Sequence, residues 1–303
     1  MRKPGYYAAI DVGSNAVRRI IKDVYGRKKD KILASTVQEV RIPIRLGADV
    51  FSTGSISFRK EQQLIDTRIC FRSLRNIYSV TAYKAYATSA RREAKNGEEV
   101  IERIKKESGI DRQIVSGTTE ANTITYILKD LHLDKGVFVA VDVGGGSTEV
   151  SLIVDGKDIK SDSFPIGTLR ILAGKDKKET WSAFKDTLKR YHDKYGDINI
   201  IATGGNINRY WKLSEHKSKQ KVNLLDKDEL FEIYDKLSSL STEERKEKYS
   251  LKPDRADVIV PAGEIFITAC KCLDSDYLYV PMTGLGDGIV NDLILGSNIN
   301  QVI

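Results

Sequence analysis

Cysteine, histidine and long apolar runs are scarce in this sequence, and each shortage removes a class of function. Three cysteines occur in 303 residues, Cys70, Cys270 and Cys272. They offer no disulfide framework, and Cys270-x-Cys272 is too short, and lacks a second ligand pair, to read as a zinc site. The three histidines, His132, His192 and His216, are scattered without partner spacing and read as structural or surface residues. No stretch is long and apolar enough to span a bilayer. The opening residues Met1-Arg2-Lys3-Pro4-Gly5 lead into a strand rather than a signal peptide. No low-complexity linker interrupts the chain. The expected compartment is a reducing cytoplasm, with neither a membrane nor a nucleic acid as partner.

Against these absences stands a composition of 41% hydrophobic and 30% charged residues, as in soluble globular proteins. The length suffices for two domains with separate cores. A net charge of +7, from 49 basic and 42 acidic residues, points mildly towards polyanionic partners. Basic clusters at Lys175, Lys177, Lys178, Lys185, Lys189 and Arg190, and again at Lys217, Lys219 and Lys221, read mainly as solvated faces. A few of them could form a track for a long phosphate chain.

The most informative stretch is Val139–Glu149, VAVDVGGGSTE. A buried strand ending in Asp142 would deliver its carboxylate to a cleft. Gly144, Gly145 and Gly146 then let the backbone turn tightly and point bare N–H groups at an anion. Ser147 and Thr148 add hydroxyl donors, and Thr148–Val154 alternates like the return strand of a hairpin. This reads as a phosphate-binding hairpin with two carboxylates, Asp142 and Glu149, placed to hold a divalent cation; an ordinary glycine-rich turn is the alternative. The pattern recurs near the start of the chain, where Ala8-Ala9-Ile10-Asp11-Val12-Gly13-Ser14-Asn15 precedes a returning strand over Ala16–Val24. Two copies of one strand–Asp–glycine-turn unit predict two related domains facing each other.

Elsewhere, strands are predicted at Lys31–Val40, Tyr78–Ala87, Arg112–Ser116, Ile198–Ala202 and Tyr277–Val280. Helices are predicted at Phe58–Ile77, Asn96–Ser108, Gly117 to about Leu131, Thr180–Tyr195, Asp228–Leu240, Thr242–Tyr249, Ala262–Leu273 and Ile289–Leu295. The segment Val37–Leu46 continues the early strand with Pro43 as a break, and Thr88-Ser89-Ala90-Arg91 is a polar turn where α/β sheets expose ligand sites. The order describes α/β domains with mixed sheets flanked by helices. The boundary falls near residue 124, giving domains 1–124 and 125–303, with the terminal helix 289–303 a candidate to cross back and complete the first.

The segments Asp11–Asn15, Ala87–Arg91, Ile114–Ala121, Val141–Glu149, Ala202–Asn206 and Arg255–Gly263, in that order, resemble the exopolyphosphatase and guanosine pentaphosphate phosphohydrolase family. That family belongs to the actin-like superfamily, so the resemblance implies two actin-like (ribonuclease H-like) α/β domains with an active-site cleft between them. Longer members carry a C-terminal helical extension, which this chain stops without. Glu120, in Ser116-Gly117-Thr118-Thr119-Glu120-Ala121, matches the acid assigned in the family as the base that activates water. On the residues alone it could equally be a helix-stabilising acid.

Phosphoanhydride hydrolysis needs charge neutralisation and positioning more than covalent machinery. Asp142 and Glu149 can hold Mg²⁺, the hard cation that oxygen ligands prefer, with Asp11 a further ligand through water. Backbone N–H groups of Gly13, Ser14, Gly144 and Gly145 can cradle phosphate oxygens, assisted by Asn15, Ser147 and Thr148. Arg91 resembles a cationic clamp, its planar fork suiting phosphate geometry, with a surface ion pair beside Arg92 and Glu93 as the alternative. Three departures from the family pattern stand out: Thr119 replaces one of two paired acids, Asn122 replaces a common arginine, and Gly284-Leu285-Gly286-Asp287-Gly288 replaces a Gly-Leu-Arg-Glu-Gly turn.

The resulting expectation is a Mg²⁺-dependent exopolyphosphatase acting on inorganic polyphosphate. Guanosine pentaphosphate is the alternative substrate, and a noncatalytic polyphosphate- or alarmone-binding regulator is the alternative class. An ATP-dependent sugar kinase lacks an accompanying sugar-binding signature, and Gly204-Gly205 reads as a structural or channel turn rather than a nucleotide contact. A homodimer is left open beside the monomer.

Overall fold

Alternating apolar residues in the first forty positions form three strands, β1 (Gly5–Val12), β2 (Val17–Lys28) and β3 (Lys31–Ile42). A computed structural model describes residues 4–28, 31–87, 89–108, 135–215, 223–282 and 285–295. The chain divides into two compact units, Met1–Tyr126 with Leu285–Ile303, and Ile127–Gly284.

In the first unit the order is β3-β2-β1-β4, with β4 at Ala82–Ala87. The strands β1, β2 and β3 pair antiparallel, whereas β4 lies parallel to β1. Helix α1 (Leu46–Thr53) follows β3, and α2 (Phe58–Ile77) spans the residues predicted from its apolar spacing. Tyr78 caps that helix and Ser79 takes a positive φ of 47°, so β4 begins later than its Tyr- and Val-rich sequence suggested. The predicted polar turn at residues 88–91 gives way to a short helix, α3 (Ser89–Glu93), and α4 covers Gly97–Ser108.

Period-two alternation sends Ile10 and Val12 to one face of this sheet and Tyr7 and Ala9 to the other. Tyr7, Ala9, Val24 and Tyr86 bury against Ile289, Val290, Leu293 and Ile294 of the last described helix, Leu285–Leu295. An ion pair of 2.5 Å between Lys22 and Asp287 fastens the start of that helix to β2. The two predicted elements at Arg112–Ser116 and Gly117–Leu131 lie outside the described residues.

The second unit repeats the arrangement and extends it. Its strands are β5 (Val137–Val143), β6 (Thr148–Val154), β7 (Lys157–Phe164), β8 (Asn199–Thr203), β9 (Leu224–Asp226) and β10 (Tyr277–Tyr279), in the order β7-β6-β5-β8-β10-β9. As in the first unit, three consecutive antiparallel strands are followed by a parallel partner of the innermost one. This duplication of a 3-2-1-4 core is the actin-like, ribonuclease H-like architecture.

Its helices are α5 (Thr168–Leu172), α6 (Lys178–Tyr195), α7 (Ile207–Leu213), α8 (Lys227–Ser238), α9 (Thr242–Tyr249), α10 (Pro253–Ala256) and α11 (Ile259–Leu273); the last helix of the chain, Leu285–Leu295, is α12. Pro261 sits in the first turn of α11 rather than ahead of it, where its missing N–H costs no intrahelical bond. Val139, Val141, Phe184, Leu188, Ile265 and Phe266 are among the residues of the main core, all fully buried. Capping is explicit in α9, where Ser241 and Glu244 satisfy each other's backbone N–H groups as a capping box.

Candidate phosphate-binding hairpin

The turn between β5 and β6 is built from the backbone up. The Gly144 N–H donates to the Ser147 carbonyl at 2.9 Å, closing the turn. Three successive carbonyls then accept hydrogen bonds from the start of α5: Gly144 O from Thr168 N (3.0 Å), Gly145 O from Leu169 N (2.8 Å) and Gly146 O from Arg170 Nε (2.8 Å). A trans peptide sets its C=O and N–H on opposite sides. Fixing those three carbonyls therefore aims the N–H groups of Gly145, Gly146 and Ser147 the other way. These three donate to no carbonyl among the described residues. Consecutive N–H groups converging on one side form an anion-binding nest.

The support behind this nest leaves no room for a side chain. A Cβ on Gly167 would lie 2.5 Å from the N and C atoms of Gly146. Buried Thr148 anchors the far end of the turn through its hydroxyl, which donates to the Ile166 carbonyl at 2.7 Å. Gly167 and Arg170 belong to no motif recognisable in the sequence. Their role emerges only when the segment after β7 folds back on the hairpin.

Two carboxylates flank the nest. Asp142, the penultimate residue of β5, is the register partner of Glu149 on β6, which places both side chains on one face of the sheet. Glu149 Oε1 accepts from Ser147 Oγ at 2.5 Å and from Ser163 Oγ at 3.1 Å, so two hydroxyls orient it. Gly204, at a φ of 105°, presses against the Asp142 carboxylate, where a Cβ would stand 3.1 Å from Oδ1. The neighbouring Gly205 is covered by the guanidinium of Arg255, whose Nη1 donates to Asn206 Oδ1 at 2.9 Å. Both glycines of that turn are thus occupied by side chains of this unit. The donor set fits a hard divalent cation, since Mg²⁺ commonly takes one or two carboxylates and fills its shell with water and phosphate oxygens. Among the described residues no cluster of three or more metal-ligating side chains occurs.

The corresponding turn of the first unit, between β1 and β2, closes in the same way, Gly13 N donating to Ala16 O at 3.0 Å. Its carbonyls are likewise tied to the residues after the third strand: Ser14 O accepts from Gly47 N at 2.8 Å and Asn15 O from Arg45 N at 2.9 Å. The Ser14 hydroxyl accepts from Ala90 N at 3.2 Å, joining this turn to α3, the helix that carries Arg91. The side chain of Arg91 lies outside the described part. Asp11 is the register partner of Arg18, so this rung of the sheet pairs an acid with a base.

One expectation about the cradle is corrected by these contacts. The N–H groups of Gly13 and Gly144 close their turns and are not available to phosphate oxygens; in the second hairpin the available donors sit one to three residues later. Glu120, the expected base, lies outside the described residues, as do Lys217, Lys219 and Lys221.

The Ppx/GppA phosphatase family profile matches residues 24–296. The match begins after the first glycine turn and includes the whole of the second. Exopolyphosphatase 1 of Mycobacterium tuberculosis is 32% identical over 163 residues, which cover 54% of this chain and 46% of that protein. Guanosine-5'-triphosphate,3'-diphosphate pyrophosphatase of Vibrio atlanticus is 24% identical over 312 residues, covering 96% of this chain and 60% of that protein. The chain thus spans about half the length of the curated relatives it matches. Among solved structures, the Aquifex aeolicus member of the same family superposes with a TM-score of 0.74 at 26% identity, covering 98% of this chain and 100% of that one.

Proposed function

The chain belongs to the Ppx/GppA phosphatase family, and from that premise we propose that it is a Mg²⁺-dependent exopolyphosphatase, releasing orthophosphate from the end of an inorganic polyphosphate chain by water attack. The observation that carries this reading is the nest of Gly145, Gly146 and Ser147 N–H groups beside the Asp142–Glu149 carboxylate pair. The nest binds oxygens of the terminal phosphoryl group and holds them without reorganisation during reaction. Asp142 and Glu149 would hold the cation, which neutralises charge on the phosphate oxygens when bound.

Hydrolysis breaks the bond between the terminal phosphorus and the bridging oxygen while the water oxygen bonds to phosphorus. Glu120 takes the water proton and the shortened chain leaves as its phosphate anion. Arg91, carried on α3 beside the Ser14 turn, supplies a clamp for the scissile group. The cysteine usage and the lack, among the described residues, of any helix long and apolar enough to cross a membrane support a cytoplasmic location.

The alignment with the Vibrio pyrophosphatase, which runs along nearly the whole chain, supports guanosine pentaphosphate as a second substrate. Phosphate release measured on long polyphosphate, short polyphosphate, guanosine pentaphosphate and ATP, with and without Mg²⁺, separates these readings. The expected result is Mg²⁺-dependent release from polyphosphate, reduced roughly 10²- to 10⁴-fold in Glu120→Gln, the range typical of a positioned general base. Near-normal turnover by Glu120→Gln removes that residue from the mechanism. Faster turnover of guanosine pentaphosphate reverses the substrate order, and chain binding without release under any metal points to a noncatalytic regulator.

A further inference from the structure

The first unit contains a cavity that the proposed reaction does not use. It has a volume of about 100 Å³ and lies between the face of the sheet carrying Ile10, Val17 and Arg19 and the helices α2 and α4. Its walls are mostly aliphatic, with Leu64 and Phe71 from α2 and Val100 from α4. Set into this apolar lining is Arg19, only 1% exposed.

Arg19 Nη1 donates to the Phe71 carbonyl at 2.7 Å, and the guanidinium stands 5.6 Å from the centre of the Phe71 ring. Its Nε, also buried, has no hydrogen-bond partner among the described residues. No carboxylate lines the cavity among the described residues. The charged side chains that face it are Arg19, Arg68, Arg72 and Arg75, all of one sign. Burial lowers the Arg19 pKa to about 10, which still leaves it a cation at neutral pH.

A buried cation with one carbonyl acceptor and, among the described residues, no counter-ion is an unusual arrangement. Arginine can make five hydrogen bonds, and a buried charge is ordinarily paired because desolvation alone disfavours it strongly. An apolar wall, in turn, favours a hydrocarbon body over water. The two requirements converge on one kind of molecule. We propose that this cavity binds a small organic monoanion, a carboxylate with an apolar body of about six carbons, its carboxylate on Arg19 and its body among Ile10, Val17, Leu64 and Phe71.

Benzoate is a suitable probe, and benzyl alcohol a neutral control of nearly the same shape. Titration calorimetry on the full chain at constant ionic strength should give saturable 1:1 binding of benzoate, at least tenfold tighter than benzyl alcohol. Intermolecular proton contacts in NMR should connect the benzoate ring to the ring of Phe71. Arg19→Met, of similar length and without charge, should remove the preference for benzoate over the alcohol. The comparison of the two probes on the unaltered chain decides the matter even if that variant does not fold. Equal binding of both probes, binding that does not saturate, contacts away from Phe71, or an undiminished benzoate preference in folded Arg19→Met would each overturn the proposal.

Discussion

Replacing Gly167 by alanine challenges the anion nest without altering any group assigned to the chemistry. Gly167 has φ −151° and ψ 160°, an extended conformation that alanine adopts freely, so no backbone strain accompanies the change. The added methyl carbon would instead stand 2.5 Å from Gly146 N and C and 2.6 Å from Gly145 C. Those atoms are backbone, and they cannot swing aside like the end of a flexible side chain. Either α5 retreats or the hairpin does, and in both cases the bonds from Thr168, Leu169 and Arg170 to the three glycine carbonyls are disturbed.

Overpacking of this kind typically costs about 1–3 kcal/mol of stability. Loss of one preorganised donor to a reacting oxyanion typically lowers kcat by about 10²–10³-fold. Activity should therefore fall much further than stability. Phosphate release from polyphosphate would give kcat/KM, and urea unfolding would give the stability of the same preparation. Gly174→Ala is the control: its φ of 61° imposes some strain, but no atom lies within 4 Å of the new carbon. An unchanged kcat/KM in Gly167→Ala, or an equal loss in Gly174→Ala, would refute the nest.

Asp142→Asn and Glu149→Gln should each move the Mg²⁺ activation curve to higher concentration, by at least the roughly 10- to 100-fold that loss of an outer-shell partner costs. Superimposable Mg²⁺ titrations of both variants and the unaltered chain would sink the cation assignment. At high pH a different pair of groups should govern stability. Burial pushes the Cys270 thiol up to about 12 from its ordinary value of 9.0, and moves the Tyr210 hydroxyl, which donates to the Ile259 carbonyl, in the same direction. Their contribution is complete below the unfolded-state values and declines as pH rises above about 9, by up to about 1.4 kcal/mol per pH unit for each group. Urea unfolding between pH 7 and 10.5 should show this decline, and Cys270→Val should flatten it; an unaltered slope would exclude the thiol.

The elements legible in the sequence were those with long period or sharp punctuation. Phe58–Ile77, Thr148–Val154 and Thr242–Tyr249 occupy the predicted residues, the first two because apolar spacing and the glycine turn define them locally. The elements that were not foreseen lack such marks. Strand β7, Lys157–Phe164, is exposed along most of its length, so burial imposes little apolar alternation, and pairing with β6 runs along its whole length while only Phe164 reaches the core. Helices α5 and α10 have five and four residues, too few for a helical period to show. At the site the same division holds: the glycines and carboxylates of the hairpin were visible as a motif. Gly167 and Arg170, about 20 residues later, gain meaning only from a tertiary contact that no local pattern encodes.

The duplication separates what the fold supplies from what the proposed chemistry requires. Both units close a glycine turn between antiparallel strands, and both tie its carbonyls to the residues following the third strand. The backbone frame of the turn is therefore common to both copies. The rung beneath the turn differs: Asp11 faces Arg18 in one copy, whereas Asp142 faces Glu149 in the other. Opposed like charges on neighbouring strands are unfavourable, typically by some ~0.2–1 kcal/mol, and an acid–base rung is the favourable alternative that the first copy has. A same-sign rung at the mouth of an anion nest makes physical sense when a divalent cation sits between carboxylates and phosphate, cancelling both repulsions together. On the function proposed above, cation binding thus belongs to the second hairpin, whose rung pairs two acids, whereas the rung of the first pairs Asp11 with a base.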